Sequence, residues 1–185
     1  MRKSILAGSL ITLISAAVPA AAQSLPPDPG TWVLGIGAGA TIPVGKQTDF
    51  LKTGFHGAVN IGYDLPNADM ELGVEGIYLR AKNKLSNDNY SNVYTIMAHA
   101  HIGAGERGGP YLVLGAGVLR NEYKQALEVI DGPNEITNTH SAFAIEGGVG
   151  INFGKVVFLE GRVLHSFRKD DDEYTLVPIT LGIRF

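Results

Sequence analysis

The stretch that decides the fold is the last seven residues of the chain, ITLGIRF, positions 179–185. Apolar side chains occupy every second position: Ile179, Leu181, Ile183 and Phe185. The positions between them are small or polar and include Arg184. Because successive side chains in a strand point to opposite faces, the stretch predicts a β-strand with one apolar face. Either a protein core or lipid must cover such a face.

The N-terminus has the pattern of a secretory signal peptide. Arg2 and Lys3 precede an apolar run over 5–18, and small residues follow in an A-x-A arrangement that ends at Ala22. This pattern predicts a signal peptide over 1–22, cut after Ala22. A buried or transmembrane helix is the alternative, but the run is short for a bilayer span.

Composition narrows the class of protein. The formal net charge is −3, and loss of the two basic leader residues makes it more negative, so nucleic acid is not an expected partner. The chain has no cysteine and therefore no disulfide framework. After the leader, no segment has the roughly 18 uninterrupted apolar residues of a membrane helix. A membrane protein with this sequence would have to be a closed barrel.

The rest of the chain alternates with a period of two. Residues 23–31 are proline-rich and predict an irregular periplasmic lead-in, and residues 32–185 predict one barrel domain. The predicted strands are 32–42, 53–63, 69–80, 92–103, 110–121, 140–153, 156–167 and 175–185. Their lengths suit tilted membrane strands. The sequence thus predicts an all-β fold, an eight-stranded antiparallel up-and-down transmembrane β-barrel.

The connections alternate between short and long. Short ones follow the second, fourth and sixth predicted strands, and longer ones follow the others, as in outer-membrane barrels. The longest predicted loop is 122–139, in which 122–129 is given a helical turn. An even strand count places both termini at the end with the short turns.

The two predicted faces differ in polarity. One carries aliphatic residues in the strand bodies, with aromatic residues near strand ends: Trp32, Tyr63, Tyr78, Tyr94, Phe153, Phe167 and Phe185. The other is rich in glycine and holds the few charged residues. A soluble, lipocalin-type barrel with its apolar face inward is the alternative. The aromatic positions and the sparse, glycine-rich polar face favour a membrane barrel with a narrow lumen.

Several stretches resemble the OmpA-like and opacity-type family of small outer-membrane barrels. They are WVLGIGAG, MELGVEGIYL, YTIMAHAHI, PYLVLGAGV and the terminal GIRF. The resemblance implies location in the outer membrane of a Gram-negative cell. It also implies that Ile179, Leu181, Ile183 and Phe185 form the signal read by the barrel-assembly machinery, with periplasmic chaperones as further partners. Members of the family include structural proteins, adhesins and immune-evasion proteins.

The polar face predicts a network inside the lumen. Its members are His56, Glu71, Glu75, His99, His101, Glu146, Glu160, Arg162 and Arg184. The lumen of an eight-stranded barrel is just wide enough to be filled by side chains, and carboxylates buried there should be paired. The expectation is a packed polar plug, and the alternative is a path for protons or ions.

The sequence HAH places two imidazoles, His99 and His101, on one face of a strand, a spacing that can hold zinc. His56 or Glu75 could supply a third ligand. No further ligand is fixed by spacing, so the prediction is a hydrogen-bonded network with no metal and no cofactor.

An enzymatic alternative rests on His165 and Ser166. Some eight-stranded outer-membrane barrels are lipid A deacylases with a His, Ser and acidic triad near the last two strands. In those enzymes one residue separates His from Ser, whereas here they are adjacent. Adjacent strand residues point to opposite faces. The chain is therefore predicted to be non-enzymatic.

Basic residues cluster toward the long loops and would face the phosphates of lipopolysaccharide: Lys46, Lys52, Arg80, Lys82, Lys84, Arg120, Lys124, Arg168 and Lys169. The predicted partners are therefore outer-membrane lipid and lipopolysaccharide, with a surface ligand held by loops 122–139 and 168–174. The predicted function is envelope integrity and surface interaction. A host- or ligand-binding adhesin is the alternative.

Overall fold

A computed structural model of the chain describes residues 30–66, 68–84, 89–103, 108–129, 132–167 and 173–185, with side chains described outside 124–137. The predicted signal peptide lies outside these residues. The strands are β1 (Thr31–Val44), β2 (Gly54–Asp64), β3 (Met70–Lys82), β4 (Tyr90–Ile102), β5 (Gly109–Val129), β6 (Gly132–Phe153), β7 (Val157–Phe167) and β8 (Thr175–Arg184).

The eight strands form one closed barrel in which each pairs antiparallel with the next. The barrel closes between β1 and β8, from Gly35 opposite Arg184 to Val44 opposite Thr175. The predicted fold class is thus confirmed. Closure satisfies the backbone hydrogen bonds around the whole circumference, which lipid requires. We call the end with the short connections the turn end and the opposite end the loop end; β1 begins and β8 ends at the turn end.

The prediction of a loop over 122–139, the longest one, is wrong, because most of these residues belong to strands. β5 and β6 have 21 and 22 residues, and they stay paired from Gly109 opposite Asn152 to Val129 opposite Gly132. The region 122–139 is therefore mostly a two-stranded extension, which we call the ribbon. The helical turn predicted over 122–129 is also wrong, because these residues belong to β5. Residues 168–172 of the other predicted loop lie outside the described residues.

The apolar face points outward. Its exposed side chains include Leu34, Val59, Ile96, Leu114, Val149 and Leu181. Aromatic side chains gather at both ends: Trp32, Tyr63, Phe153 and Phe185 at the turn end, and Phe55, Tyr78, Tyr94, Phe143 and Phe167 at the loop end. Some of them pack in pairs, with ring centroids 5.2 Å apart for Trp32 and Tyr63. An outward apolar band between two aromatic girdles contradicts the lipocalin-type alternative.

Helical structure is scarce. Among the described residues, no helix is long and apolar enough to cross a membrane. A short 3-10 helix at Gly45–Asp49 follows β1 at the loop end, and its Gln47 side chain donates to the backbone oxygen of Glu173, 3.3 Å away. This contact ties the first long loop to the last one.

Candidate functional site: the barrel lumen

The middle of the lumen holds a single arginine among three glutamates. Nη1 and Nη2 of Arg162 lie 2.5 and 3.2 Å from the two carboxylate oxygens of Glu75. Nη1 also lies 3.3 Å from Oε2 of Glu146, and Nε lies 3.2 Å from Oε2 of Glu160. All four side chains are buried. Because an isolated buried carboxylate is costly, this cluster ties β3, β6 and β7 together through one cation.

A second group lies closer to the turn end and surrounds Glu71, which is fully buried. Arg184 Nη1 is 3.3 Å and His101 Nδ1 is 3.5 Å from Oε2 of Glu71. On the other oxygen, Asn60 Nδ2 donates at 3.3 Å, and His99 Nε2 lies 4.0 Å away. The rings of His99 and His101 are stacked, with centroids 4.4 Å apart.

Glu160 joins the two groups. Its Oε1 accepts a hydrogen bond of 2.6 Å from the Tyr111 hydroxyl and lies 3.8 Å from Nε2 of His101. Its Oε2 faces Arg162, as described above. Eight of the nine residues predicted for the lumen network therefore lie in one connected set of buried polar side chains.

The ninth residue, His56, lies on the inward face but bonds elsewhere. Its Nδ1 is 2.8 Å from Oγ1 of Thr41, and its Nε2 is 2.9 Å from Oγ1 of Thr180. These threonines are on β1 and β8, so His56 spans the seam where the barrel closes. It is not beside the HAH pair, for which the sequence offered it as a third ligand.

Glycines on neighbouring strands make room for the large polar side chains. A Cβ at Gly148 would lie 2.6 Å from Cγ of Arg162, and one at Gly62 would lie 2.3 Å from Oε1 of Glu71. Such distances are too short for carbon contacts, so side chains at these positions would displace the charged groups. At these two positions the buried network therefore requires glycine.

An apolar layer that the sequence pattern did not predict lies in the loop-end half of the lumen. Its members are Leu51, Leu79, Ala81, Val93, Met97, Leu119, Ala144, Leu164 and Leu176, with Tyr174 packed against them. The available signal was strand parity. Leu79 has the parity of Glu75, and Met97 that of His99, so both had to point inward. The turn-end half of the lumen is therefore mainly polar. The loop-end half contains the apolar layer, with His56, Thr95 and Ser166 buried at the same height.

Above the apolar layer, amide and phenol groups meet at the loop-end mouth. Asn83 Nδ2 donates to the Tyr123 hydroxyl at 2.8 Å, and Asn121 Nδ2 donates to the Tyr174 hydroxyl. A cavity of about 350 Å³ lies here. It is lined by Lys46, Gln47, Phe50, Leu51, Asn83, Asn121, Tyr123, Asn138, His140 and Tyr174. Tyr123 and Asn138, which pair at the barrel end of the ribbon, thus form one wall of this polar and aromatic cavity.

The adjacent pair His165 and Ser166 is split between the two faces of β7. Ser166 is buried, and its Oγ accepts a hydrogen bond of 3.0 Å from the backbone N–H of Tyr174. His165 instead places Nδ1 2.9 Å from Oγ1 of Thr175 and packs edge-on against Phe167. The two side chains do not form the nucleophile–base contact that an acyl-transfer site needs.

Within the described residues, one group has the composition of a metal site: Glu71, His99 and His101, all buried, with one ligand atom from each lying within 4.8 Å of the others. The acidic member is Glu71. The alternative third ligand offered by the sequence, Glu75, pairs with Arg162 instead.

The whole barrel matches a known family. The family described as "Outer membrane protein beta-barrel domain" matches residues 8–185. The chain belongs to this family of outer-membrane barrels. The predicted resemblance is thereby confirmed, and the outward apolar face is the surface that this outer-membrane barrel presents to lipid.

Solved structures of other outer-membrane barrels share its fold. The N-terminal β-barrel domain of Pseudomonas aeruginosa OprF is 15% identical, with a TM-score of 0.58, covering 84% of this chain and 99% of that one. Ail of Yersinia pestis, in complex with the heparin analogue sucrose octasulfate, is 17% identical with a TM-score of 0.52, covering 84% and 99%. Neisserial surface protein A is 18% identical with a TM-score of 0.52, covering 83% and 95%. Comparison with curated protein sequences gave no match.

The predicted assembly residues lie together on the outside of this outer-membrane barrel. Ile179, Leu181, Ile183 and Phe185 are all exposed on the outward face of β8 or just beyond it. The backbone of Phe185 exchanges two hydrogen bonds with Leu34 on β1, of 2.9 and 3.1 Å. The last residue therefore closes the barrel at the turn end.

Proposed function

We propose that this outer-membrane barrel is a non-enzymatic protein that contributes to envelope integrity and contacts the cell surroundings through its loop end. Its leader, residues 1–22, would direct export and be removed. Periplasmic chaperones and the barrel-assembly machinery would then act on the chain, the latter through the apolar stripe of β8. The loop end would face outward and the turn end the periplasm.

The observation that carries this proposal is the filled lumen. The polar network occupies the turn-end half, and the apolar layer occupies the loop-end half. A diffusion pore needs a continuous aqueous path, whereas two stacked layers of buried side chains favour a closed wall. The proton or ion path considered for the network would have to cross the apolar layer, whose members include Leu79, Leu119 and Leu164.

The loop end supports a role in surface contact. β5 and β6 continue as the ribbon beyond the pairing of Lys124 with Tyr90, the residue at which β4 begins. The mouth cavity beneath it combines phenol rings, amides and the Lys46 side chain. Concave sites with a few polar groups and aromatic walls are typical of small-ligand binding.

Lipopolysaccharide is the proposed lipid partner. Basic side chains at the loop end include Arg80, Lys82 and Arg120, all exposed. The guanidinium of Arg80 lies 4.0 Å from the ring centroid of Tyr90, and Arg120 pairs with Glu122 at 2.8 Å. Lysine and arginine at this height would meet lipid phosphates, and arginine favours bidentate contacts with them.

An adhesin-type role is the second candidate, and the ribbon is the observation that favours it. Ail is described as an attachment invasion locus protein and was solved with a heparin analogue. By analogy, a sulfated or phosphorylated surface ligand would suit the basic loop end of this chain. A lipid A-modifying enzyme is the least supported candidate, because His165 and Ser166 do not face each other.

A complementation experiment decides whether the barrel or the ribbon provides the envelope function, and it uses a strain that lacks the protein. It is complemented with the full chain, or with a variant in which an Asn-Gly turn replaces 124–137. Tyr123 and Asn138 are opposite each other, so a two-residue turn there matches hairpin geometry. Detergent sensitivity is measured. If the envelope role belongs to the barrel, the trimmed variant restores resistance as fully as the complete chain.

The last loop stays intact in this design because Tyr174 packs on the apolar layer and Glu173 accepts from Gln47. Equal amounts of folded barrel in the outer membrane are verified first. Resistance restored by the full chain alone would assign the function to the ribbon and favour the adhesin-type candidate. Failure of both to restore resistance would contradict a role in envelope integrity.

A further inference from the structure

The described lumen network has more negative than positive charge. It contains four glutamates, Glu71, Glu75, Glu146 and Glu160, and two arginines, Arg162 and Arg184. With neutral histidines the cluster carries two uncompensated negative charges. Burial of such an excess is costly, so one further divalent cation would balance it.

The excess is unevenly distributed. In the middle of the lumen, Arg162 lies within ion-pair distance of Glu75, Glu146 and one carboxylate oxygen of Glu160. At the turn end, Glu71 has Arg184 on Oε2 at 3.3 Å, but its Oε1 has only the amide of Asn60 as a hydrogen-bond donor among the described residues. A cation is therefore most needed beside Oε1 of Glu71.

Two histidines face the carboxylate of Glu71, and both have ring nitrogens without a hydrogen-bond partner in the described part of the chain. Within the described residues, Nδ1 of His99 and both ring nitrogens of His101 have no hydrogen-bond partner. Both side chains are more than nine-tenths buried, at 4% and 1% exposure. Nε2 of His99, which also contacts the amide of Asn60, lies 4.0 Å from Oε1 of Glu71, and Nδ1 of His101 lies 3.5 Å from Oε2.

These distances are longer than those between the ligands of a tetrahedral ion site, but they lie within reach of one. Ligand atoms that bind zinc at about 2.0–2.1 Å lie about 3.3 Å from one another. The three ligand atoms of Glu71, His99 and His101 lie within 4.8 Å of one another. Small rotations of these side chains would bring the three atoms to the spacing of a zinc site. Glycine at positions 62 and 73 provides the space that these side chains occupy, since a Cβ at Gly73 would lie 2.9 Å from Nε2 of His99.

Asn60 can supply the fourth ligand. Its Nδ2 lies 3.3 Å from both Oε1 of Glu71 and Nε2 of His99, while its Oδ1 is buried without a hydrogen-bond partner among the described residues. Rotation of the amide by half a turn exchanges these two atoms. An oxygen ligand then stands beside Glu71 and His99, where an ion between them would meet it.

We propose that Glu71, His99, His101 and Oδ1 of Asn60 bind one zinc-class divalent metal ion in the turn-end half of the lumen. Two imidazoles with oxygen ligands suit zinc. The ion balances the negative charge of the network and joins β2, β3 and β4. The sequence pattern alone predicted no metal, because Glu71 and Asn60 are brought to the HAH pair only by the strand register.

Glu160 would act through His101. When Nδ1 of His101 binds the ion, its Nε2 carries the proton and faces Oε1 of Glu160, now 3.8 Å away. A carboxylate that accepts from a metal-bound histidine orients the ring, and loss of such a partner commonly weakens metal binding 10- to 100-fold. Tyr111 holds Glu160 in place through its 2.6 Å hydrogen bond.

The test uses the full mature chain, refolded in detergent with EDTA or with ZnCl₂. Because the site is buried, zinc is added both before and after refolding. After gel filtration, bound zinc is counted by mass spectrometry and affinity is measured by competition with a chelator. We expect one zinc per chain, at least 100-fold weaker binding in His99→Gln and His101→Gln, and 10- to 100-fold weaker binding in Glu160→Gln.

His56→Gln is the matched control, since this buried lumen histidine bonds Thr41 and Thr180 and stands apart from the site. It should bind zinc as the unaltered chain does. Absence of zinc from the unaltered chain, or undiminished binding in the His99 and His101 variants, overturns the proposal. If those variants do not fold, nitrogen NMR of the unaltered chain decides. Zinc must then shift the ring nitrogens of His99 and His101 and leave those of His56 in place, and any other pattern overturns the proposal.

Discussion

Arg162 is the residue on which most buried charges of the lumen depend. It lies within hydrogen-bond or ion-pair distance of Glu75, Glu146 and Glu160, and its side chain is fully buried. A buried ion pair adds little net stability compared with apolar packing, but removal of one partner leaves the other charge without compensation. Here three carboxylates would lose their common partner at once.

We therefore expect Arg162→Met to lower the free energy of unfolding by about 3–5 kcal/mol. Urea unfolding in detergent, followed by the fluorescence of Trp32, the single tryptophan, measures the change. Arg120→Met is the control, because its pair with Glu122 lies on the exposed outer face and should contribute less than about 1 kcal/mol. Equal effects of the two substitutions would contradict the central role of Arg162.

At the scale of residues, period-two alternation predicts which face of the barrel a side chain lies on, but not which residues it contacts. All nine lumen residues were assigned to one face from period-two alternation, and the structure places them on the inward face. Their contacts depend on the stagger between strands and on the curvature of the barrel. His56 meets threonines across the β1–β8 seam, and Arg184 meets Glu71 from a strand 113 positions away in sequence. Neither pairing has a local sequence signal.

At the scale of elements, the ribbon differs most from the prediction. The segment 122–139 contains Gly-Pro and several Asn and Thr residues, a composition typical of loops. Strand prediction relies on one buried face, and beyond the barrel rim neither face of a two-stranded ribbon has to be apolar. The strict alternation therefore ends before the strand pairing does, and composition misassigns the region.

The last strand supports a prediction about assembly. Phe185 is exposed to lipid beside β1, and we expect Phe185→Ala to reduce the amount of folded barrel in the outer membrane several-fold. The change should have little effect on unfolding of the purified, refolded protein, because the backbone bonds to Leu34 remain. Folded barrel in membranes is measured by the difference in gel mobility between heated and unheated samples.

Phe153→Ala is the matched control for the assembly signal. Phe153 is also a lipid-exposed aromatic residue at the turn end, but it belongs to β6. Its replacement should leave the amount of folded barrel close to normal. A similar loss in both variants would indicate that the aromatic girdle, and not the terminal strand, is what assembly requires.

At the scale of the whole molecule, the lumen has a mainly polar turn-end half and an apolar layer in its loop-end half. Water crosses narrow apolar constrictions poorly, and hydrophobic constrictions close channels by dewetting. The layer that includes Leu119, Leu164 and Leu176 therefore separates the polar network from the loop-end mouth. The overall barrel was predictable from strand count and loop lengths, but this division was not, because apolar side chains were assigned to the outer face only.

We expect the unaltered barrel to give no steady ion conductance in planar bilayers, whereas Leu119→Ala combined with Leu164→Ala should admit water and increase ion leakage. The pair Leu112→Ala and Leu114→Ala is the control, since both side chains face lipid. Steady conductance through the unaltered barrel would contradict the sealed lumen. Leakage in the lumen variant alone shows that removal of these side chains opened a path. Leakage in the lipid-facing control as well shows that the substitutions destabilised the fold.

Among the described residues, the ribbon also has two backbone edges that pair with no third strand. Among the described residues, β4 pairs with β5 only up to Lys124, and β7 pairs with β6 only from Phe143 onward. Beyond these points the described ribbon residues pair only with each other, over about 17 Å for residues 125–129 of β5 and about 26 Å for residues 132–139 of β6, at about 3.3 Å per residue. Unpaired backbone edges are templates for strand addition. A partner that docks there would recognise main-chain amides, so recognition would tolerate changes in the ribbon's side chains and would be blocked by a proline on its outer margin.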